Sequence, residues 1–538
     1  MSLAASFIDL ATYDELEKYF YSAEQDAVTY FVRQTRKSSW FTQIPVKFST
    51  IGAGDFGTKQ WTVTIARGGD YLLNAWLEVT TPVIAANISG TAASSTVNKW
   101  CKNFMHNLVD YVDIKFNDLL VQRIDHYMFD FLSEIMIPSD QKKSYREMTG
   151  YGKSVLDSNG KNQFIVGLDA GVSHKLKLPL PFFFTRDTGV ALPCAALPYN
   201  EMKFEFTFRK LSELLVTHTF LKISEIASVT VGTPSVAWAG AATSGYGGLV
   251  NISGTIVENS VEGGYQGTSA YAGTTASLSE VNVWGTYAMV SNVERAMMAK
   301  TARNIIIEQY TQHSPVKITS ATSSYDIRFA HAIKALFIAA RSPGPGASLH
   351  NQTTGGWAAS AHGGVGAGYT TNGSASPTYQ PGWFVTDRGI AGHRVTANPV
   401  TGGYGGDTYS NYSKVNLTAE FGGVVSRTNP ISDITVTYEN TKRLDKMDAG
   451  YFTQITPYYT AVSSPEEVGI NLYSYSLDMS SVDPMGSTNF GKLTNVSVTP
   501  TVDTTYATGT GSTSEMIITA INHNVIKISG GALGFPIL

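Results

Sequence analysis

The chain has 538 residues, too many for one compact core, so two or more domains are expected. Only 15% of residues are charged, and a net charge of −4 with a pI near 6.2 excludes the concentrated basic face of a general nucleic-acid binder, so no direct nucleic-acid contact is expected. Cys101 and Cys194 are too few for a disulfide framework, and 50 glycines, 28 tyrosines and 25 phenylalanines bias the chain toward β-sheet with long irregular loops.

No apolar run approaches the ~20 residues that span a bilayer. The N-terminus lacks the basic region and apolar run of a secretory signal, so the chain is expected to be soluble and cytosolic when made. The densest basic spots, Arg33 to Lys37 and Lys142 to Arg146, are read as solvated loop faces or protein contacts.

Residues 1–24 open with an apolar arm and a short amphipathic helix. Thr12 can cap it, Glu15 completes a capping box, and Leu16, Tyr19 and Phe20 share one face. A first β domain is expected over 25–213. In it Trp61, Val63 and Ile65 alternate with threonines, and Val112, Ile114 and Phe116 alternate with polar residues. Asp70 to Thr81 is apolar at nearly every position, as a strand buried on both faces is. A helix is predicted around His126 to Ile135.

Prolines 179, 181, 193 and 198 exclude a helix from Leu178 to Met202. Phe182, Phe183 and Phe184 cannot all face water and mark the seam of a large β core. Phe204, Phe206 and Phe208 follow at every second position, the pattern of a half-buried strand.

Residues 209–223 read as a short connector with helical tendency, opening a second domain over 214–538. From Val236 to Ala276 small residues dominate, and a mobile or partner-covered loop is expected. Strands resume at Val281 to Val290 and Arg303 to Tyr310. Phe329 to Ala340 is apolar on both faces, which pattern alone leaves open between helix and strand; the β-rich context favours strand. The irregular stretch 342–413 carries Trp357, Tyr369, Trp383 and Tyr404, aromatics that argue against full disorder. Strands over Ile470 to Leu477, Leu493 to Val498 and Met516 to Ile528 end the chain.

Catalytic motifs are fragmentary. Gly52 to Gly57 matches a dinucleotide fingerprint in letters, but a strand follows where a helix is needed. Gly152-Lys153-Ser154 has Glu147 where a phosphate loop needs glycine. Asp187-Thr188-Gly189 is the aspartic-protease triplet in a single copy beside Arg186, and a salt-bridged turn accounts for it. His106, His126 and His331 sit in apolar surroundings as hydrogen-bonded core residues, not ligands. No enzymatic activity, cofactor or metal is expected.

Long strings carry a resemblance. They are Phe-Ile-Asp-Leu-Ala-Thr-Tyr-Asp at 7–14, Trp-Phe-Thr-Gln-Ile-Pro at 40–45, Gly-Asp-Tyr-Leu-Leu-Asn-Ala-Trp-Leu at 69–77, and the proline-phenylalanine stretch. Tyr-Glu-Asn-Thr-Lys-Arg-Leu at 438–444, Gly-Ser-Thr-Asn-Phe-Gly-Lys-Leu-Thr-Asn at 486–495 and Ala-Ile-Asn-His-Asn-Val-Ile-Lys-Ile at 520–528 complete the set. In these the chain resembles the major capsid proteins of large nucleocytoplasmic DNA viruses, in the form seen in iridoviruses, ascoviruses and marseilleviruses.

The resemblance implies an all-β double jelly roll, two tandem eight-stranded sandwiches with a few short helices. It implies homotrimeric, pseudo-hexameric capsomers that tile an icosahedral shell, with the chain located in the virion after assembly in the host cytoplasm. The implied partners are further copies of the chain, neighbouring capsomers, and minor capsid, penton and scaffold proteins. It places Phe7, Leu16, Tyr19 and Phe20 of the arm on the inner side of the shell, in reach of an internal membrane. Trp357, Tyr369, Trp383 and Tyr404 are candidate trimer-interface aromatics. The alternative is a β-sandwich glycan-binding adhesin or lectin-like surface protein with aromatic loops.

Overall fold

The computed structural model describes residues 28–29, 31–33, 37–84, 94–101, 103–151, 153–156, 162–166, 168, 170–224, 260–270, 276–341, 384–386, 389–391, 414–416, 426–465, 469–502 and 515–535. Residues Met1–Phe41 and Thr42–Leu538 form two compact units. The arm residues Phe7, Leu16, Tyr19 and Phe20, and the loop aromatics Trp357, Tyr369, Trp383 and Tyr404, lie outside the described residues. Of the first unit, Val28, Phe31, Val32 and Trp40 are exposed.

Two sandwiches follow one another. In the first, one sheet runs in the order Phe41–Lys47, Glu280–Val290, Tyr71–Thr80, Lys175–Pro179. The other runs Ser49–Ile51, Trp61–Thr64, Met202–Phe208, Val109–Phe116, Leu119–Asp125. In the second, one sheet runs Arg303–Lys317, Glu515–Ser529, Ala332–Arg341, Asn471–Ser474, with Thr488–Asn489 and Ala532–Gly534 added at its margins. The other runs Tyr325–Asp326, Val496–Val502, Ile431–Tyr438, Thr441–Asp448. Setting aside the three short marginal strands, each sandwich has eight strands in two sheets of four among the described residues.

The alternating phenylalanines build the first core. Met202–Phe208 is central in its sheet, with Phe204 opposite Val63 and Ile114, and Phe206 opposite Trp61 and Val112. All of Phe204, Phe206 and Phe208 are buried, and Phe182 stacks on Phe204 at 5.1 Å and faces Phe184 at 5.9 Å. Phe183 is buried as well. Two hairpins turn without glycine: Asn117 and Asp118, then Glu439 and Asn440, take the consecutive positive φ angles of a tight two-residue turn.

Glu280–Val290 pairs along its length with Tyr71–Thr80, so the expected boundary at residue 213 is corrected: this strand completes the first sandwich. Where a connector was expected, a short helix, Leu211–Leu214, leads into strand Leu215–Ser224. That strand pairs with Ser94–Trp100 and with Ser260–Ala270, the second of which lies in the stretch expected to be loop. Helix Ser139–Thr149 was not foreseen, whereas His126–Ile135 and Ala332–Arg341 fall where helix and strand are predicted. Among the described residues no helix is long and apolar enough to cross a membrane.

Gly285, on the strand that closes the first sandwich, faces the core closely. A Cβ there would stand 2.3 Å from Phe48 Cζ and 2.8 Å from Leu72 Cδ1, and both side chains are buried. Gly285→Ala is therefore expected to destabilise the fold by about 1–3 kcal/mol through overpacking. An unchanged thermal midpoint would mean that the Phe48 ring swings aside freely.

Candidate functional site

The surface with the most built chemistry is the joint between the two sandwiches. Edge strand Leu119–Asp125 of the first meets edge strand Arg303–Lys317 of the second, and side-chain amides bridge them. Gln122 Nε2 donates to the Glu308 carbonyl at 3.0 Å, and Gln309 Nε2 donates to the Val121 carbonyl at 2.6 Å. Gln122 Oε1 accepts from Phe183 N at 2.9 Å, and Gln309 Oε1 accepts from Asn524 Nδ2 at 2.9 Å. Both edges are thereby covered, and the rows of backbone groups that could recruit a foreign strand are partly occupied.

Beneath these amides lies a buried ionic cluster. The Glu308 carboxylate accepts from Lys334 Nζ at 2.5 Å and from Arg186 Nε at 3.0 Å, and Glu308 and Lys334 are 1% and 0% exposed. Lys334 also donates to the Met479 and Ser481 carbonyls, and Arg186 Nη2 donates to Met479 O at 3.1 Å. Lys334 reaches inward because it is the extra residue of a β-bulge. Ile333 pairs with Asn522 and Ala335 with Ile521, leaving Lys334 without an opposite number. Burial opposes the charge on Arg186, but the attraction of Glu308 and further neighbours outweighs it, so its pKa is raised. His523, directly across from Glu308, has its pKa lowered by burial.

Arg186 was expected in a salt bridge with its neighbour, but it crosses the joint instead. Asp187 is an exposed cap, accepting from Gly189 N at 3.1 Å and Thr188 Oγ1 at 3.3 Å. The turn is as expected, but the ion pair belongs to Glu308.

Helix His126–Ile135 is buried along nearly its whole length, and Phe131 stacks face to face on Phe337 of the second sandwich at 5.2 Å. One core cluster therefore includes residues of both sandwiches, while a second lies inside the C-terminal one. Ser463 caps the exit of this helix, its N donating to Ile135 O at 3.2 Å and its Oγ to Glu134 O at 2.7 Å. Lys142, expected on a solvated or contact face, is buried against Glu134 at 3.4 Å and Ser464 O at 3.2 Å. The linker helix Asn292–Lys300 is tied to the first sandwich by Arg295, which grips Asp70 at 2.7 and 2.9 Å; this bond holds the Asp70 carboxyl below its ordinary range.

His106 is the most catalytic-looking histidine. Its Nδ1 lies 2.7 Å from Asp130 and its Nε2 2.7 Å from the Tyr145 hydroxyl. His106 and Asp130 are buried and Tyr145 is half-buried; desolvation raises the Tyr145 pKa, so the phenol keeps its proton and the trio acts as a hydrogen-bond chain. His126 contacts Arg209, and His331 is half-buried at a positive φ. Cys101 and Cys194 are both buried, with no disulfide between them. Away from the joint, Tyr458 and Tyr459 are each 76% exposed, beside exposed Ile455, and Leu477 is 80% exposed.

Sequence reasoning singled out none of Gln122, Glu308, Gln309 and Lys334. One signal was present: Lys334 is a lone charge in an apolar run, and a buried charge needs a partner.

The family model described as major capsid protein N-terminus matches residues 29–288, and the model described as large eukaryotic DNA virus major capsid protein matches 294–534. The chain is 37% identical to the major capsid protein of Invertebrate iridescent virus 6, over 100% of this chain and 99% of that one. It belongs to the family of large eukaryotic DNA virus major capsid proteins. Among this family's members, the protein of Lymphocystis disease virus 1 is 32% identical over 100% of this chain and 98% of its own length. Among solved structures, the PBCV-1 capsid model superposes with a TM-score of 0.60 at 20% identity, covering 95% of this chain and 100% of that one. The Faustovirus major capsid protein gives 0.54 at 10% identity, over 96% and 94%. The fold shared with these capsid proteins is the double jelly roll, and the gap between the two family matches, 289–293, coincides with the start of the linker helix. In a capsid protein the joint has a plain role: it holds two sandwiches in one fixed orientation.

Proposed function

We propose that three copies of this major capsid protein close into a pseudo-hexameric capsomer, the tile of an icosahedral shell. The observation that carries this reading is the locked joint. Two eight-stranded sandwiches joined by buried amide and ionic bridges make one rigid body, and three such bodies in a ring present six similar corners to a hexagonal lattice. Closure of the ring would cover Trp357, Tyr369, Trp383 and Tyr404, large aromatics of the kind that dominate interface energy. The exposed Tyr458, Tyr459 and Leu477 supply contact surface for neighbouring tiles. Minor capsid, penton and scaffold proteins, an internal membrane reached by the N-terminal arm, and assembly in the host cytoplasm complete the proposal.

The test is the solution mass of purified, untagged protein by light scattering, with negative-stain images of the same peak. Three times the 58.1 kDa chain mass with a hexagonal outline is the expected result. A folded chain that stays monomeric at high concentration and binds glycans would overturn it in favour of an adhesin.

A further inference from the structure

Beside the ionic cluster the joint has a second feature, a small cavity with polar side chains in its wall. A cavity of about 10 Å³ is lined from the first sandwich by Asp125, Tyr127 and Met128, and from the second by Tyr310, Gln312 and Thr519. Gln312 and Thr519 are cross-strand partners, so their side chains share one face of the sheet. Gln312 Nε2 and Thr519 Oγ1 are both buried and find no hydrogen-bond partner among the described residues. Asp125 stands across from them, where Leu119–Asp125 gives way to the buried helix.

We infer that this cavity is a binding site for one water molecule, which bridges the two jelly rolls through Gln312, Thr519 and Asp125. A space of roughly 10–15 Å³ admits one water, and such a water needs two to four polar partners. The lining supplies them with matching chemistry: an amide N–H that can only donate, a hydroxyl that can do either, and a carboxyl that accepts when ionised. The amide donor argues against a metal cation, which would need oxygens in its place. Burial pushes the Asp125 carboxyl up to about 6, the mark of a carboxyl poorly solvated by the protein groups around it. The bridge deepens the rigid-tile reading and rests on the joint, not on the number of copies in the capsomer.

Two measurements test it on the assembled protein. A structure at a resolution that shows ordered solvent is expected to have a single peak in the cavity, within hydrogen-bonding distance of Gln312 Nε2 and Thr519 Oγ1; an empty cavity overturns the site. Thr519→Val gives an answer by sign. With a bridging water, the valine strips it of a partner and the thermal midpoint falls by roughly 2 °C or more. In a dry cavity, the same change removes an orphan hydroxyl at constant shape, and the midpoint holds or rises. Gln312→Met repeats the test from the neighbouring strand with the same two outcomes. Thr519 is buried away from the outer surface, so a chain that failed to trimerise would still report on the water.

Discussion

Glu308→Gln is expected to lower the stability of the folded chain by about 3–5 kcal/mol, the usual cost of breaking a buried ion pair by removing one partner. Here the removed carboxylate serves two cations. Lys334, wholly buried, and Arg186, nearly so, would be left facing each other across the joint with the Met479 and Ser481 carbonyls and the Met136 sulfur as their remaining partners. The effect should appear as lost soluble yield and a thermal midpoint many degrees lower at fixed scan rate, since a chain of this size is expected to unfold irreversibly. The double variant Glu308→Gln with Lys334→Met removes one of the two stranded charges and is expected to recover much of the loss. If Glu308→Gln melts with the parent, the ionic cluster is not what fixes the joint.

Asp125→Asn is expected to act in the opposite direction and only above mild acid. Burial raises the Asp125 carboxyl from 3.8 to about 6, and Asp110 and Asp113 add to the rise while Arg123 and Arg209 oppose it. His126 follows it in sequence, Tyr111 is its cross-strand partner, and Tyr310 faces it from the second roll across the cavity. Between about pH 4 and 6 the folded chain holds a proton that the unfolded chain has released. The stability due to the neutral carboxyl is complete below about pH 4 and is lost as the pH rises through 6. At neutral pH the ionised group therefore costs the fold up to about 3 kcal/mol, less whatever a bridging water restores. The variant should melt above the parent at pH 7.5, by a margin that shrinks through pH 6 and vanishes near pH 4. A margin that does not change with pH would assign the difference to packing instead.

Legibility in the sequence followed the range over which each signal acts. His126–Ile135 and Ala332–Arg341 were visible because their burial is written into a local run of apolar residues. Ser139–Thr149 was not, since its residues are polar except at a few points and it offers no apolar stripe to read. The boundary error had a different origin. Glu280–Val290 was recognised as a strand, but its partner Tyr71–Thr80 lies some two hundred residues earlier, and nothing local in either segment names the other. The joint was hidden for the same reason. Arg186 sits beside Asp187 in the chain, so the local sequence points to Asp187 as its partner, while Glu308 is 122 positions away. Lys334 showed a charge in an apolar run, but the bulge that turns it inward exists only in the paired sheet.

The closing strand of each sandwich also sets a clock on synthesis. At about 5–20 residues per second, Tyr71–Thr80 waits roughly 10–40 s on the ribosome before Glu280–Val290 is made, and Arg303–Lys317 waits about as long for Glu515–Ser529. Through each interval a long strand lies open on the side its partner will take. Nascent chains of this protein are thus candidates for pairing with one another before they can pair with themselves, and translation speed between residues 80 and 280 becomes a determinant of yield.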